Sequence, residues 1–296
     1  MGRYFYTLMF FIFTTNALFA SVSIKEKQAL IDLYHSTSGA QWTVTWDMTR
    51  PVSSWYGVGI KHNKVVSLTL FNNNLRGALP SSLGALLHLE ELNLAFNDIS
   101  GDIPQNIIFL TELKILRLGK NRISGTIPEK IGNLDKLLVL ELFGNTLSGE
   151  VPASMGNMKN LKCLFLSYNN LNGTLPKELG NLESLERMEL AGNDLEGNIP
   201  KSFGGLSKLG YLILSENRFS GTIPMNVISI PKLQLFRVQN NRFSIPEHIG
   251  MAPTGQNLAL FESEGEIVDL RSKRKGNISE LRQVRTVNTI FEDAND

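Results

Sequence analysis

Apolar positions in the middle of the chain recur with one long fixed period, not with the rhythm of an isolated strand or helix. Asparagine marks the phase. Asn73, Asn97, Asn121, Asn145, Asn169, Asn193, Asn217 and Asn241 stand 24 residues apart every time. Each lies in the same frame, as in Leu92-Asn93-Leu94-Ala95-Phe96-Asn97-Asp98-Ile99-Ser100-Gly101-Asp102-Ile103-Pro104. The frame begins at residues 68–80 and returns at 116–128, 140–152, 164–176, 188–200 and 212–224. In the last turn, residues 236–246, two residues are missing.

Each column of the repeat has a physical role. The alternating apolar pair, Leu92 and Leu94 in the example, turns two side chains of a short strand inward. The Leu three positions earlier fills the same interior, and so do Ile99, Ile123, Leu147, Leu171, Leu195, Phe219 and Phe243, two after each Asn. One turn cannot bury that surface alone, whereas stacked turns bury it continuously. The pattern therefore predicts an α/β repeat: a solenoid of eight 24-residue turns, with a parallel β-sheet on its concave side. The Asn falls where the chain leaves the strand, and its amide can bond backbone groups of its own and neighbouring turns. Gly77, Gly101, Gly125, Gly149, Gly173, Gly197 and Gly221 follow, at a place that calls for a positive φ or a close approach. The next Ile-Pro favours extended backbone. A short helical turn closes the unit, as in Glu129-Lys130-Ile131-Gly132-Asn133-Leu134.

The string Leu-x-x-Leu-x-Leu-x-x-Asn-x-Leu-x-Gly-x-Ile-Pro resembles the plant-type, extracellular class of leucine-rich repeats over residues 65–246. The resemblance implies a ligand-binding solenoid like those of receptor-like kinases, receptor-like proteins and inhibitors of cell-wall-degrading enzymes. It implies a fold far more specifically than a function, since the fold serves many partners. Residues 24–64 precede the first full turn. Ala29, Leu30, Leu33 and Tyr34 suit an amphipathic helix, and Trp42, Trp46 and Trp55 follow. Ser53-Ser54-Trp55-Tyr56-Gly57-Val58-Gly59-Ile60 resembles the family's N-terminal cap, Cys-x-Trp-x-Gly-Val-x-Cys, with Ser53 and Ile60 in place of the cysteines. Aromatic burial must then do what a disulfide usually does. The rival reading makes the tryptophans a ligand platform.

Composition narrows the picture. The 296 residues are 42% hydrophobic and 19% charged, enough apolar material for a core, and the net charge of +1 argues against a nucleic-acid partner. The single cysteine, Cys163, allows no intrachain disulfide, and His35, His62, His88 and His248 are scattered, so no metal or cofactor is implied. A lone Arg3 before an apolar run that ends in small residues reads as a signal peptide over residues 1–20, with cleavage after Ala20 or Ser23. The alternative is an uncleaved membrane anchor. The protein is thus expected to be secreted, or else anchored at the cell surface. Asn172-Gly173-Thr174 and Asn277-Ile278-Ser279 are glycosylation sequons. Residues 247–265 are expected to form a final cap, and 266–296 a charged, partly disordered segment, either a solvated tail or a loose helix. A docking tail or a basic cleavage site is the sharper alternative there.

The concave face is the candidate site. Its outward strand residues include Ile115, Val139, Phe143, Phe165, Tyr211 and Ile213, ringed by Arg117, Glu141, Arg187 and Glu189. An apolar centre with a charged rim is expected to recognise a protein or peptide. Carbohydrate is a further class, because aromatic rings stack on sugars. Cross-strand stiffening is the bland alternative. Cys163 falls in the same patch, as a half-buried residue or an interchain thiol. Two rival classes remain: a structural surface protein without a ligand, and a glycoside hydrolase using Glu141 and Glu189. Two strands apart, those backbones would be separated by about 10 Å. Against catalysis, the face is open, and the flanking arginines are expected to keep both acids ionised.

Overall fold

The computed structural model describes residues 22–244, together with the backbone of Leu260–Ser263 and Glu266–Asp269. The expected signal segment and Asn277 lie outside the described residues. Ser23 starts the first helix, Ile24–Ser36, with a reciprocal cap: its hydroxyl accepts from the Glu26 N–H, and the Glu26 carboxylate accepts from the Ser23 N–H. The other Glu26 oxygen accepts from the Val65 N–H at 3.1 Å, so one buried carboxylate joins the helix to the first repeat strand.

Eight parallel strands then follow one another at the repeat period: Lys64–Thr69, Glu91–Asn93, Ile115–Arg117, Val139–Glu141, Cys163–Phe165, Arg187–Glu189, Tyr211–Ile213 and Leu235–Arg237. Their register is constant, with Leu92 facing Leu116 and Leu164 facing Met188. The inward side chains are fully buried, and one apolar column runs from Leu30 and Leu33 through the leucine pairs to Phe236 and Val238. Short 3-10 turns such as Ser81–Ala85, Ala153–Asn157 and Lys201–Gly205 return the chain on the opposite side. Between lie the extended segments expected from the Gly and Pro columns. They form two small sheets, one from Arg76–Ala78 to Arg122–Ser124 and one from Ser148–Gly149 to Arg242–Ser244, with Thr126 and Ser148 bridging them.

The solenoid's apolar ends are closed differently. At the start, Val58–Lys61 pairs antiparallel with Lys64–Thr69. Beneath it Trp42, Trp46 and Trp55 are buried, in a file of ring contacts that begins at Tyr34, with centroids 4.8–6.2 Å apart. Each indole N–H donates to a carbonyl: Trp42 to Thr37, Trp46 to Tyr56 and Trp55 to Asp47. Rings so buried cannot serve as a ligand platform. At the far end, Leu260–Ser263 adds a parallel strand beside Leu235–Arg237, and Glu266–Asp269 turns back antiparallel. The first residues of the supposed solvated tail are therefore strand. Adjacent Ile267 and Val268 supply the β propensity that its charged flanks obscure.

The Asn column ties turn to turn. The Asn145 Oδ1 accepts from the Ile123 N–H at 2.9 Å, one turn back. Its Nδ2 donates to the carbonyls of Leu118 in the previous turn and Leu142 in its own, both at 3.0 Å. Asn97, Asn121, Asn169, Asn193, Asn217 and Asn241 repeat the arrangement. Asn73, the first, bonds the cap instead, accepting from the Val44 N–H and donating to the Val44 carbonyl. Replacing Asn145 by Ala leaves the Ile123 N–H without its acceptor and removes one of the two asparagine donors from each carbonyl, since Asn121 still donates to Leu118 and Asn169 to Leu142. It is expected to cost about 1–3 kcal/mol in urea unfolding. Amide exchange at Ile123 should accelerate by more than at Ile199, which bonds no asparagine.

Candidate ligand-binding face

Strands three residues long turn their middle side chain inward and the flanking two outward. Ile115, Arg117, Val139, Glu141, Phe165, Arg187, Glu189, Tyr211 and Ile213 are all half-buried on the outward face. Strand pairing sets them side by side: Val139 faces Ile115 and Cys163, and Glu189 faces Phe165 and Ile213. Phe143 differs. It was expected to be exposed, yet only 7% of it is accessible. The reason is Gly119, its neighbour one turn back: a Cβ there would stand 2.6 Å from the Phe143 ring, so the missing side chain leaves space the ring fills.

The charges are paired within the face. The Arg117 guanidinium lies 3.3 Å from Glu141 and 3.9 Å from Glu91. The Arg187 guanidinium bonds Glu189. It also sits between two rings, 5.6 Å from the centre of Phe165 and 5.1 Å from that of Tyr211, within cation–π range. Each glutamate of the supposed catalytic pair therefore holds an arginine of its own. At Glu141 burial pushes the carboxyl above its ordinary value, against the opposing pull of Arg117. Burial likewise raises the Cys163 thiol, which disfavours thiolate chemistry.

A further column, not singled out from the sequence, borders this face. The residue before each Asn adopts a left-handed backbone: Asn72, Phe96, Lys120, Gly144, Tyr168, Gly192, Glu216 and Asn240 have φ between 47° and 65°. Gly and Asn suit that conformation. Other residues pay about 1–2 kcal/mol for it. Phe96 and Tyr168 nevertheless occupy it with rings 41% and 49% exposed, and neighbouring Phe71 is 48% exposed. The clue was present in the sequence, because Gly and Asn fill half of the column. Asn172 is exposed on one of the small sheets, away from the concave strands.

Stacked turns, the Asn column and the inner parallel sheet define a leucine-rich-repeat solenoid of the plant type. Profiles described as a leucine-rich repeat region and a Leucine Rich Repeat match residues 110–197 and 88–110. Among solved structures, the chain is similar to PEPR1 with AtPEP1, at 29% identity and a TM-score of 0.73, covering 83% of this chain and 36% of that one. It is similar to the ectodomain of the Arabidopsis receptor kinase HAESA with an N-terminally extended IDA peptide hormone, at 31% identity and a TM-score of 0.68, covering 81% and 41%. It also resembles the plant peptide hormone receptor RGFR1 with RGF2, at 35% identity and a TM-score of 0.59, covering 62% and 30%. The chain thus spans well under half the length of these receptors. No curated protein matches it in sequence.

The Glu141 carboxyl is a direct probe of the face. Because its folded value is raised, the stability linked to it is fully present below the ordinary glutamate value and lost as pH rises through the folded one. An NMR titration should place its midpoint above that of an exposed glutamate. Arg117→Met should move it higher still, since the guanidinium acts in the opposite direction.

Proposed function

We propose that the protein is an extracellular recognition module, receptor-like or inhibitor-like, that holds a protein or peptide on its concave face. One observation carries the reading: Arg187 is fixed between Phe165 and Tyr211 and bonded to Glu189, on an otherwise open sheet. A guanidinium held by rings and a carboxylate loses little further freedom on contact. With half-buried Ile213 on the next strand and Val139 and Ile115 two and three strands back along the same face, it contributes to the aromatic, aliphatic and arginine surface typical of protein recognition. Solved structures of similar proteins with AtPEP1, the IDA peptide hormone and RGF2 bound support a peptide ligand over carbohydrate. Catalysis gains no such support, since Glu141 and Glu189 are each paired with their own arginine.

The reading places the working protein outside the cell, free or held by its N-terminal segment. No helix among the described residues is long and apolar enough to cross a membrane. Cleavage after Ala20 leaves the Ser23 cap intact, whereas cleavage after Ser23 removes it. A glycan on exposed Asn172 would leave the concave face free.

Affinity capture from extracellular fluid, using the protein lacking residues 1–20, tests the proposal. Arg187→Glu should weaken the captured interaction at least tenfold, about 1.4 kcal/mol. It also lowers the melting temperature, because Glu189 loses its cation and meets a second carboxylate, so capture is compared at a temperature where both proteins are folded. A partner retained equally by wild type, Arg187→Glu and Arg117→Glu would exclude the concave face as its site.

A further inference from the structure

We propose that Phe71, Phe96 and Phe143 form an anchor seat for one large apolar side chain of the partner, and that Lys120 beside them selects an acidic residue next to it. The inference rests on the peptide-binding reading and assigns its first contact. Phe71 and Phe96 are 48% and 41% exposed, with centroids 5.2 Å apart, and buried Phe143 lies 6.2 Å beyond Phe96. Ala95 and Gly119 separate Phe71 from Phe143 in the outward column, so small residues leave room between the rings.

Three observations point to a ligand and to its kind. Phe96 holds its ring at a φ of 59°, where the same column accepts Gly144 and Gly192 at 64° and 65°. A strained aromatic left half-exposed is not repaid by core packing, which suggests a use outside the chain. Next, the planes of the rings cross at 56° and 70°. They offer no flat platform for a sugar, but a notch that accepts a side chain. Finally, the Lys120 ammonium stands 6.0 Å from the Phe143 ring and, among the described residues, has no ion-pair partner, whereas Arg117, Arg187 and Arg218 all do. The charge this seat lacks is an anion.

A random dodecapeptide display library, panned on the immobilised protein lacking residues 1–20, tests this. Wild type is expected to enrich peptides with Phe, Trp, Leu or Met next to Asp or Glu. Phe96→Gly, which suits the backbone, should keep the melting temperature and lose the apolar preference, with at least a tenfold loss of affinity for the wild-type peptides. Phe96→Asn is a second variant with the same expectation. Lys120→Glu should abolish the acidic preference. If wild type enriches peptides that Arg187→Glu rejects but Phe96→Gly and Phe96→Asn still select, the seat is refuted and the concave-face reading stands. If wild type enriches no peptide, both fall.

Discussion

Everything in this solenoid depends on one side-chain amide per turn. At the end of each concave strand the chain bends through a left-handed residue, and the bend points backbone groups inward where no water can reach them. The asparagine amide meets that demand in both senses. Asn145 accepts from the Ile123 N–H and donates to the carbonyls of Leu118 and Leu142, so it stitches two turns as it closes one. Aspartate could accept but not donate, and leucine could do neither. Hence the column tolerates no drift over eight turns, while the strand residues facing outward vary freely.

That division of labour explains where recognition can arise. The interior, the Asn column and the positive-φ glycines are committed to stacking. What remains is a ribbon of outward strand positions plus the left-handed residue at its border. On this ribbon the arginines and glutamates do not face water singly; Arg117 and Arg187 each hold a carboxylate, and Arg187 also holds two rings. Because their charges already meet, these groups need shed little water to contact a partner, and their geometry is set beforehand. The raised Glu141 carboxyl shows how far that shielding has gone.

The fold was largely legible in the sequence because it is written many times over. A column such as Asn97, Asn121 and Asn145 needs no energetic weighing to be read, and the inner strands follow from the leucine pairs beside it. The face was read less fully, because its outward positions carry no repeat and each depends on neighbours a turn away. Phe143 illustrates this: nothing in its own turn indicates that the missing side chain of Gly119 lets its ring lie down. The left-handed column was missed for the opposite reason. It repeats, but as a backbone state shared by Phe96, Lys120, Gly144 and Glu216, which have no side-chain chemistry in common. At the far end, the strand Glu266–Asp269 escaped notice because a repeat-based reading stops where the period stops.

The ends of the stack bear on function as well as stability. A parallel sheet of bare repeats would expose an unpaired edge and an apolar section at each terminus. Here an antiparallel segment finishes the sheet at both ends, Val58–Lys61 at one and Glu266–Asp269 at the other. The tryptophan file beneath the first, each indole N–H bonded to a carbonyl, supplies the closure that a cap disulfide provides in the resembling class. Closure by packing does not depend on an oxidising compartment, so the fold stays intact whether thiols outside are oxidised or reduced. The same cap also holds the first asparagine of the column, since the Asn73 amide bonds both backbone groups of Val44. The opening turn of the concave face is therefore stitched to the cap as each later turn is stitched to its neighbour, and the column of asparagines runs without a break into the closed end.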